Sequence, residues 1–140
     1  MRIAPVYDCG SSLYPQADEE IMKLVLENKG ERGSRIYNRP VSAIRIGDKK
    51  INYYDYISSM ENEDLNNALL RVVPRIKEDA ISALVDSIPT LSDLQREFYK
   101  MMLIERKHII LDETYDKIAR KKEELENECQ SVRPNIRRKR

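Results

Sequence analysis

The chain has 140 residues, of which 35% are charged, and its 25 lysines and arginines balance 24 aspartates and glutamates to a net charge of +1. This length predicts one domain with its own core, and the balanced charge excludes binding to nucleic acid or an anionic membrane through the surface as a whole. No apolar run approaches the roughly 18 residues that a membrane span requires, and no signal peptide is found before Asp8. Cys9 and Cys129 lie far apart, which argues against a thiolate zinc site or disulfide framework. We therefore predict a cytoplasmic protein.

The chain opens with a short apolar segment, residues 3–7, which ends on Asp8 and is followed closely by Gly10. We predict a β-strand that presents the Asp8 carboxylate beside a flexible glycine. Such a carboxylate suits Mg²⁺, which binds hard oxygen ligands together with substrate phosphates. The triplet Asp8-Cys9-Gly10 also has the form of the kinase Asp-x-Gly signature, whose aspartate holds the metal. The alternative for Asp8 is a turn or capping aspartate.

A first helix is predicted after this strand. Asp18 can cap a helix over about 19–28, and Gly30 is predicted to end it. Residues 31–39 contain glycine, serine and asparagine, so a loop is predicted there. The apolar face of the first helix is predicted to consist of Ile21, Leu24 and Val25.

The middle of the chain predicts a hairpin and several short helices. Residues 43–51 predict a small hairpin that turns at Gly47-Asp48, and Asn52 is predicted to cap a short helix through residue 57. Helices are then predicted over 63–73, which Pro74 should kink or end, and over 78–88. Their inward positions are predicted to be Leu65, Leu69, Val72, Val73, Ile81, Leu84, Val85 and Ile88.

The longest helix is predicted to begin at a capping box, Ser92-x-x-Gln95, and to be interrupted near Asp112. Its apolar face is predicted to contain Leu94, Phe98, Met101, Ile104, His108, Leu111, Tyr115, Ile118 and Leu125. The only histidine, His108, is therefore interpreted as a buried, hydrogen-bonded imidazole rather than a metal ligand or general base.

The string APVYDCGSSL at residues 4–13 resembles the metal-binding segment of the HipA-like serine/threonine kinases, in which an APxYD strand carries the magnesium aspartate. Residues 39–44 and 47–57 resemble the insert that follows this strand, and residues 94–101 resemble a late helix of the family. The resemblance covers most of residues 3–118. It implies ATP-dependent phosphoryl transfer to a protein serine or threonine, with Asp8 as the Mg²⁺ ligand, and the family includes toxins of toxin–antitoxin pairs.

Other parts of a kinase are missing from the sequence. Its four glycines do not form a G-x-G-x-x-G loop, and no aspartate is followed five positions later by an asparagine; active kinases need both features and a strand lysine. We therefore predict the back half of a kinase domain, with no catalytic residue of its own and no activity alone. Three explanations stay open: an isolated lobe, a truncated gene, or one chain of a two-chain kinase.

The predicted fold is mainly α, a helical C-terminal lobe of a kinase-like domain with a short β element near the N-terminus. This lobe is predicted over residues 1–128, and residues 129–140 are predicted to be a basic, disordered tail. Mg²⁺ and ATP are the expected cofactors, bound only with the missing N-terminal portion. That portion or an antitoxin-type protein is the expected partner, beside a protein substrate; membranes are excluded and direct nucleic-acid binding is not expected. The alternative is a non-enzymatic helical protein-interaction module.

Each of several smaller features has two interpretations. Cys9 is interpreted as a packed apolar residue rather than a nucleophile, because no histidine is near it in sequence. Ser11 and Ser12 either contact a phosphate through a backbone nest or cap a turn. A trio of tyrosines either stacks on a base or packs as a half-buried edge; these are Tyr53, Tyr54 and Tyr56.

Overall fold

The structure, a computed structural model, describes residues 13–14, 16–39 and 45–131, with side chains as far as residue 128. These parts form seven α-helices and one antiparallel hairpin, which confirms the mainly α fold. The predicted opening strand, residues 3–7, lies outside the described residues. The elements are α1 (Glu19–Glu27), α2 (Lys29–Asn38), β1 (Arg45–Ile46), β2 (Lys49–Lys50), α3 (Tyr53–Ser58), α4 (Glu63–Val72), α5 (Glu78–Asp86), α6 (Asp93–Arg106) and α7 (Glu113–Ser131).

Side-chain caps fix most helix starts where the sequence predicts them. The Asp18 carboxylate accepts the Ile21 N–H at 2.8 Å and begins α1. Ser92 and Gln95 form a reciprocal capping box at the start of α6, as predicted, because each side chain satisfies a backbone N–H that the helix leaves unpaired. At the end of α4 the chain tightens into a 3₁₀ turn, Val73–Arg75, which contains Pro74. The prediction that this proline kinks or ends the helix is therefore confirmed.

The predicted loop over residues 31–39 is wrong, because these residues belong to α2. Asn28 alone separates the first two helices. Its N–H donates to the Leu24 carbonyl at the end of α1, and its side chain accepts N–H groups from the first turn of α2. Gly30 therefore lies in the first turn of α2 and does not stop α1. The cost of glycine in a helix is about 1 kcal/mol, and the complete burial of Ile36 offsets it.

The core has two parts. The larger joins α1, α2, α6 and the following turn, and it consists of Met22, Val25, Ile36, Phe98, Met102 and Ile110. The smaller joins α4 to α7 through Leu69, Val73 and Ile118. None of the helices in the described residues is long and apolar enough to cross a membrane.

The buried positions from α6 through the following turn into α7 recur at multiples of four residues: Phe98, Met102, Ile110, Thr114 and Ile118. An α-helix has 3.6 residues per turn, so positions four apart drift round its axis. Between the two helices lies a π-helical turn, Lys107–Asp112, in which the Glu113 N–H donates to the His108 carbonyl. Its wider turn reverses the drift and keeps one face inward. The predicted interruption near Asp112 is thus confirmed as a π-turn.

Five aliphatic residues predicted to face inward are exposed instead. The largest difference is Leu84, whose exposed fraction is 66%, although its neighbour Val85 is buried. Adjacent residues of a helix point about 100° apart, so Val85 is buried while Leu84 faces solvent. The exposed residues are Leu24, Val72, Leu84, Ile88 and Leu125.

Candidate functional site

The predicted metal ligand, Asp8, lies outside the described residues, as do Cys9, Ser11 and Ser12. The first described residue with a network of tertiary contacts is Tyr14, six positions after Asp8. The contacts of Tyr14 therefore bear most directly on how this segment joins the fold.

Tyr14 is held by two arginines. Its hydroxyl donates to the Arg35 carbonyl at 2.9 Å and accepts from Nη2 of Arg106 at 3.2 Å. The guanidinium carbons of both arginines lie 5.4 Å from the centre of the Tyr14 ring, within the range of cation–π attraction. Tyr14 has a φ of 55°, a left-handed conformation that is uncommon for a non-glycine residue and that these contacts hold in place.

A second tyrosine extends this group. The Tyr53 hydroxyl donates to the Arg39 carbonyl at 2.9 Å and also contacts the carbonyl of Ile36. Nη2 of Arg106 donates to the same Arg39 carbonyl at 3.2 Å. Burial raises the pKa of Tyr53, and the charge of Arg106 partly opposes this rise. The tyrosine–arginine cluster, defined as Tyr14, Arg35, Arg39, Tyr53 and Arg106, thus joins the start of the described fold to α2, α3 and the end of α6.

Two guanidinium groups of the tyrosine–arginine cluster, those of Arg35 and Arg106, lie beside the Tyr14 ring, whereas Arg39 enters the cluster through its backbone carbonyl. Within the described ranges, no carboxylate lies in ion-pair distance of Arg35. Guanidinium groups bind carboxylates and phosphates through charge-assisted hydrogen bonds. The Arg35 side chain can therefore attract an anionic group.

All three members of the predicted tyrosine trio are half-buried in the fold. Tyr53 and Tyr54 are half-buried against the larger core, and the Tyr54 ring meets the Tyr37 ring edge-on at 4.7 Å between centres. Tyr56 is also half-buried, and its hydroxyl accepts a hydrogen bond from the side-chain amide of Asn62 at 2.9 Å. The interpretation as a packed aromatic edge is confirmed.

The interpretation of His108 as a buried residue is wrong. Its side chain is 49% exposed, because the π-turn rotates it away from the core, and its Nε2 lies 2.7 Å from Oε1 of Glu78. The predicted hydrogen bond exists, with a carboxylate as its partner. This hydrogen bond lowers the pKa of Glu78, while Asp112 raises the pKa of the neighbouring Lys107. Both groups are therefore charged at neutral pH.

The sequence did not identify Tyr14, Arg35 or Arg106 as site residues. Tyr14 is 21 positions from Arg35 and 92 from Arg106, so no local spacing links them. Only the three-dimensional packing of α2 against α6 brings these side chains together, and no signal in a single sequence reports it.

We expect Tyr14→Phe to lower the free energy of unfolding by about 0.5–1.5 kcal/mol, because the substitution removes a hydroxyl that makes two hydrogen bonds. The phenylalanine ring keeps its contacts with the two arginines. Tyr14→Leu should cost more, since the cation–π contacts are also lost. The measurement is chemical denaturation followed by circular dichroism. Tyr115→Phe is the matched control, because Tyr115 packs against the smaller core and its hydroxyl makes no hydrogen bond within the described part of the chain. Equal stability of Tyr14→Phe, Tyr14→Leu and the parent would contradict the assigned contacts.

This helical fold is similar to part of a protein kinase. No family model matches the chain. A curated protein with 47% identity over 112 residues, or 79% of this chain, is the serine/threonine-protein kinase CtkA of Helicobacter pylori (strain J99 / ATCC 700824). The crystal structure of a Helicobacter pylori proinflammatory kinase CtkA matches 85% of the chain with a TM-score of 0.78 and 44% identity. The chain spans 34% of the curated relative and 43% of the solved chain. It is therefore homologous to part of a serine/threonine kinase.

Proposed function

We propose that the chain is the magnesium-binding C-terminal part of a HipA-like serine/threonine kinase domain, which acts in ATP-dependent phosphoryl transfer to a protein. The observation that carries this proposal is the 44% identity to the CtkA crystal structure at a TM-score of 0.78. A match of this quality relates both sequence and fold to a kinase. The APxYD string at residues 4–8 supports the assignment to the HipA-like kinases.

In the proposed kinase, Asp8 is the ligand that this chain contributes to Mg²⁺. When bound, the ion would supply positive charge that offsets the negative charge developing on the nucleotide phosphates. The tyrosine–arginine cluster supports the proposal in two ways: it fixes Tyr14, close in sequence to Asp8, and it carries positive charge suited to a phosphate. Its arginines are proposed to position the Asp8 segment, and they are not assigned a role in the chemical step.

The phosphate-binding loop, its lysine and the catalytic base are proposed to come from the N-terminal portion of the kinase domain. This portion is the proposed partner, whether it belongs to the same polypeptide or to another chain. The base would take the proton of the substrate hydroxyl as that oxygen attacks the γ-phosphorus and ADP leaves. An antitoxin-type protein is a second proposed partner, on the strength of the family resemblance alone.

Reconstitution tests this function. The 140-residue chain is mixed with the part of CtkA that lies outside the matched region, and phosphate transfer from labelled ATP to protein is measured. We expect no transfer by either piece alone and transfer by the mixture. Transfer by the chain alone that disappears in Asp8→Ala would contradict the proposal. Association of the two pieces without transfer would favour the alternative, a non-enzymatic helical interaction module.

A further inference from the structure

A second group of charged side chains lies where the start of α5 meets the π-turn. Glu78 is the first residue of α5, and Lys107, His108 and Asp112 belong to the π-turn. Nε2 of His108 lies 2.7 Å from Oε1 of Glu78 and 4.0 Å from Oδ2 of Asp112. The Lys107 ammonium lies 2.7 Å from Asp112 and 3.5 Å from Glu78. We call these four residues the α5–π cluster.

Three members of the α5–π cluster offer metal-ligating atoms. One imidazole nitrogen and two carboxylate oxygens, from His108, Glu78 and Asp112, all lie within 4.8 Å of one another. Zinc binds such atoms at about 2.0–2.2 Å in tetrahedral geometry, so its ligand atoms stand roughly 3.3–3.6 Å apart. The two distances from His108, 2.7 and 4.0 Å, lie on either side of this range. Metal binding would therefore require small rotations of these partly exposed side chains.

The three ligating side chains are accessible. Their exposed fractions are 49% for His108, 45% for Glu78 and 30% for Asp112. Glu78 and Asp112 also line a cleft of about 560 Å³, which His108 does not line. An ion can enter without unfolding either helix, and water can fill a fourth coordination position.

We propose that Glu78, His108 and Asp112 form a binding site for a divalent transition metal of the zinc class. The imidazole selects against Mg²⁺, which prefers oxygen ligands, and the two carboxylates supply the negative charge that a dication requires. The three ligands do not include Asp8, the proposed Mg²⁺ ligand. Metal bound there would link α5 to the π-turn, across 30 positions of sequence.

Lys107 is the competing cation in this site. Its ammonium pairs with both carboxylates, so the metal must displace it from at least one of them. Removal of the Lys107 charge should therefore strengthen metal binding, whereas removal of a ligand should weaken it. A purely structural ion-pair network predicts no metal binding by any of these variants.

Calorimetric titration of the full chain with Zn²⁺ tests the site. The absorption spectrum of bound Co²⁺ gives a second readout. Because thiols also bind zinc, every measurement uses a background with Cys9→Ser and Cys129→Ser. We expect one ion per chain and an affinity lowered roughly tenfold or more by Glu78→Gln or His108→Ala, since even outer residues of metal sites typically contribute 10–100-fold. Lys107→Met should raise the affinity.

Asp116→Asn is the matched control, because Asp116 lines the same cleft but is not one of the three ligands. Its zinc affinity should equal that of the background chain. Circular dichroism establishes that each variant is folded, and Glu78→Gln keeps an acceptor for His108. The proposal is overturned if the background chain binds no zinc, or if Glu78→Gln and His108→Ala bind it as tightly as the background does. A Lys107→Met chain that binds zinc no more tightly would overturn the role of Lys107 as competitor.

Discussion

We expect Asp8→Asn to abolish phosphoryl transfer in the reconstituted kinase while the thermal midpoint stays near that of the parent chain. The physical reason is that a neutral amide oxygen cannot replace a carboxylate in holding Mg²⁺, which gives up its hydration water reluctantly. Loss of the metal removes the charge neutralisation on which phosphoryl transfer depends. Labelled-phosphate transfer and a thermal melt, both on the same variant, measure the two effects separately.

The matched control for this variant is Asp18→Asn. Asp18 caps α1 through its side chain, and asparagine caps a helix about as well as aspartate, so both activity and stability should be retained. If Asp8 is instead a turn or capping residue, Asp8→Asn should leave transfer intact. In that case Asp8→Ala should lower stability by about 0.5–2 kcal/mol, as the loss of a cap does.

We expect Phe98→Ala to lower the free energy of unfolding by about 3–5 kcal/mol. The Phe98 side chain is completely buried in the larger core, with α1 and α2 packed against the same cluster, so its removal leaves a cavity as well as losing apolar burial. The thermal midpoint should fall by roughly 10 °C or more. Denaturation monitored by circular dichroism gives the value.

Leu84→Ala is the control for Phe98→Ala, because it also removes a large apolar side chain from a helix. Leu84 is mostly exposed on α5, so its replacement by alanine should change the stability by less than about 0.5 kcal/mol. Similar losses of stability in the two variants would contradict the burial of Phe98 in the larger core.

The sequence predicted the helices whose signals are local. Asp18, Asn52 and Ser92 accept backbone N–H groups two or three positions further along the chain, so their spacing is visible without the fold. Helix α2 has a cap of the same kind at Asn28, but its glycines and polar residues resemble a loop. Tertiary contacts hold it: Arg32 donates to the Val25 and Leu26 carbonyls at the end of α1 and pairs with Glu105 of α6 at 3.2 Å.

The α5–π cluster could not be predicted for a related reason. A regular 3.6-residue period places His108 on the apolar face, and only the π-turn moves it out toward Glu78. No residue pattern in the sequence marks the extra residue of that turn. The tyrosine–arginine cluster depends on pairs that are distant in sequence. The APxYD string was visible from the start, because it is contiguous and needs no fold to bring its residues together.

The single-residue junction at Asn28 has a consequence for how the chain tolerates length changes. Because Asn28 both ends α1 and caps α2, no flexible linker separates the two helices. One residue inserted there would rotate α2 by about 100° and shift it by about 1.5 Å along its axis, which would carry Ile36 out of the core. The hairpin β1–β2 has only exposed side chains, so its turn can lengthen without disturbing any buried residue. Insertions and tags therefore belong at the hairpin and not between the first two helices.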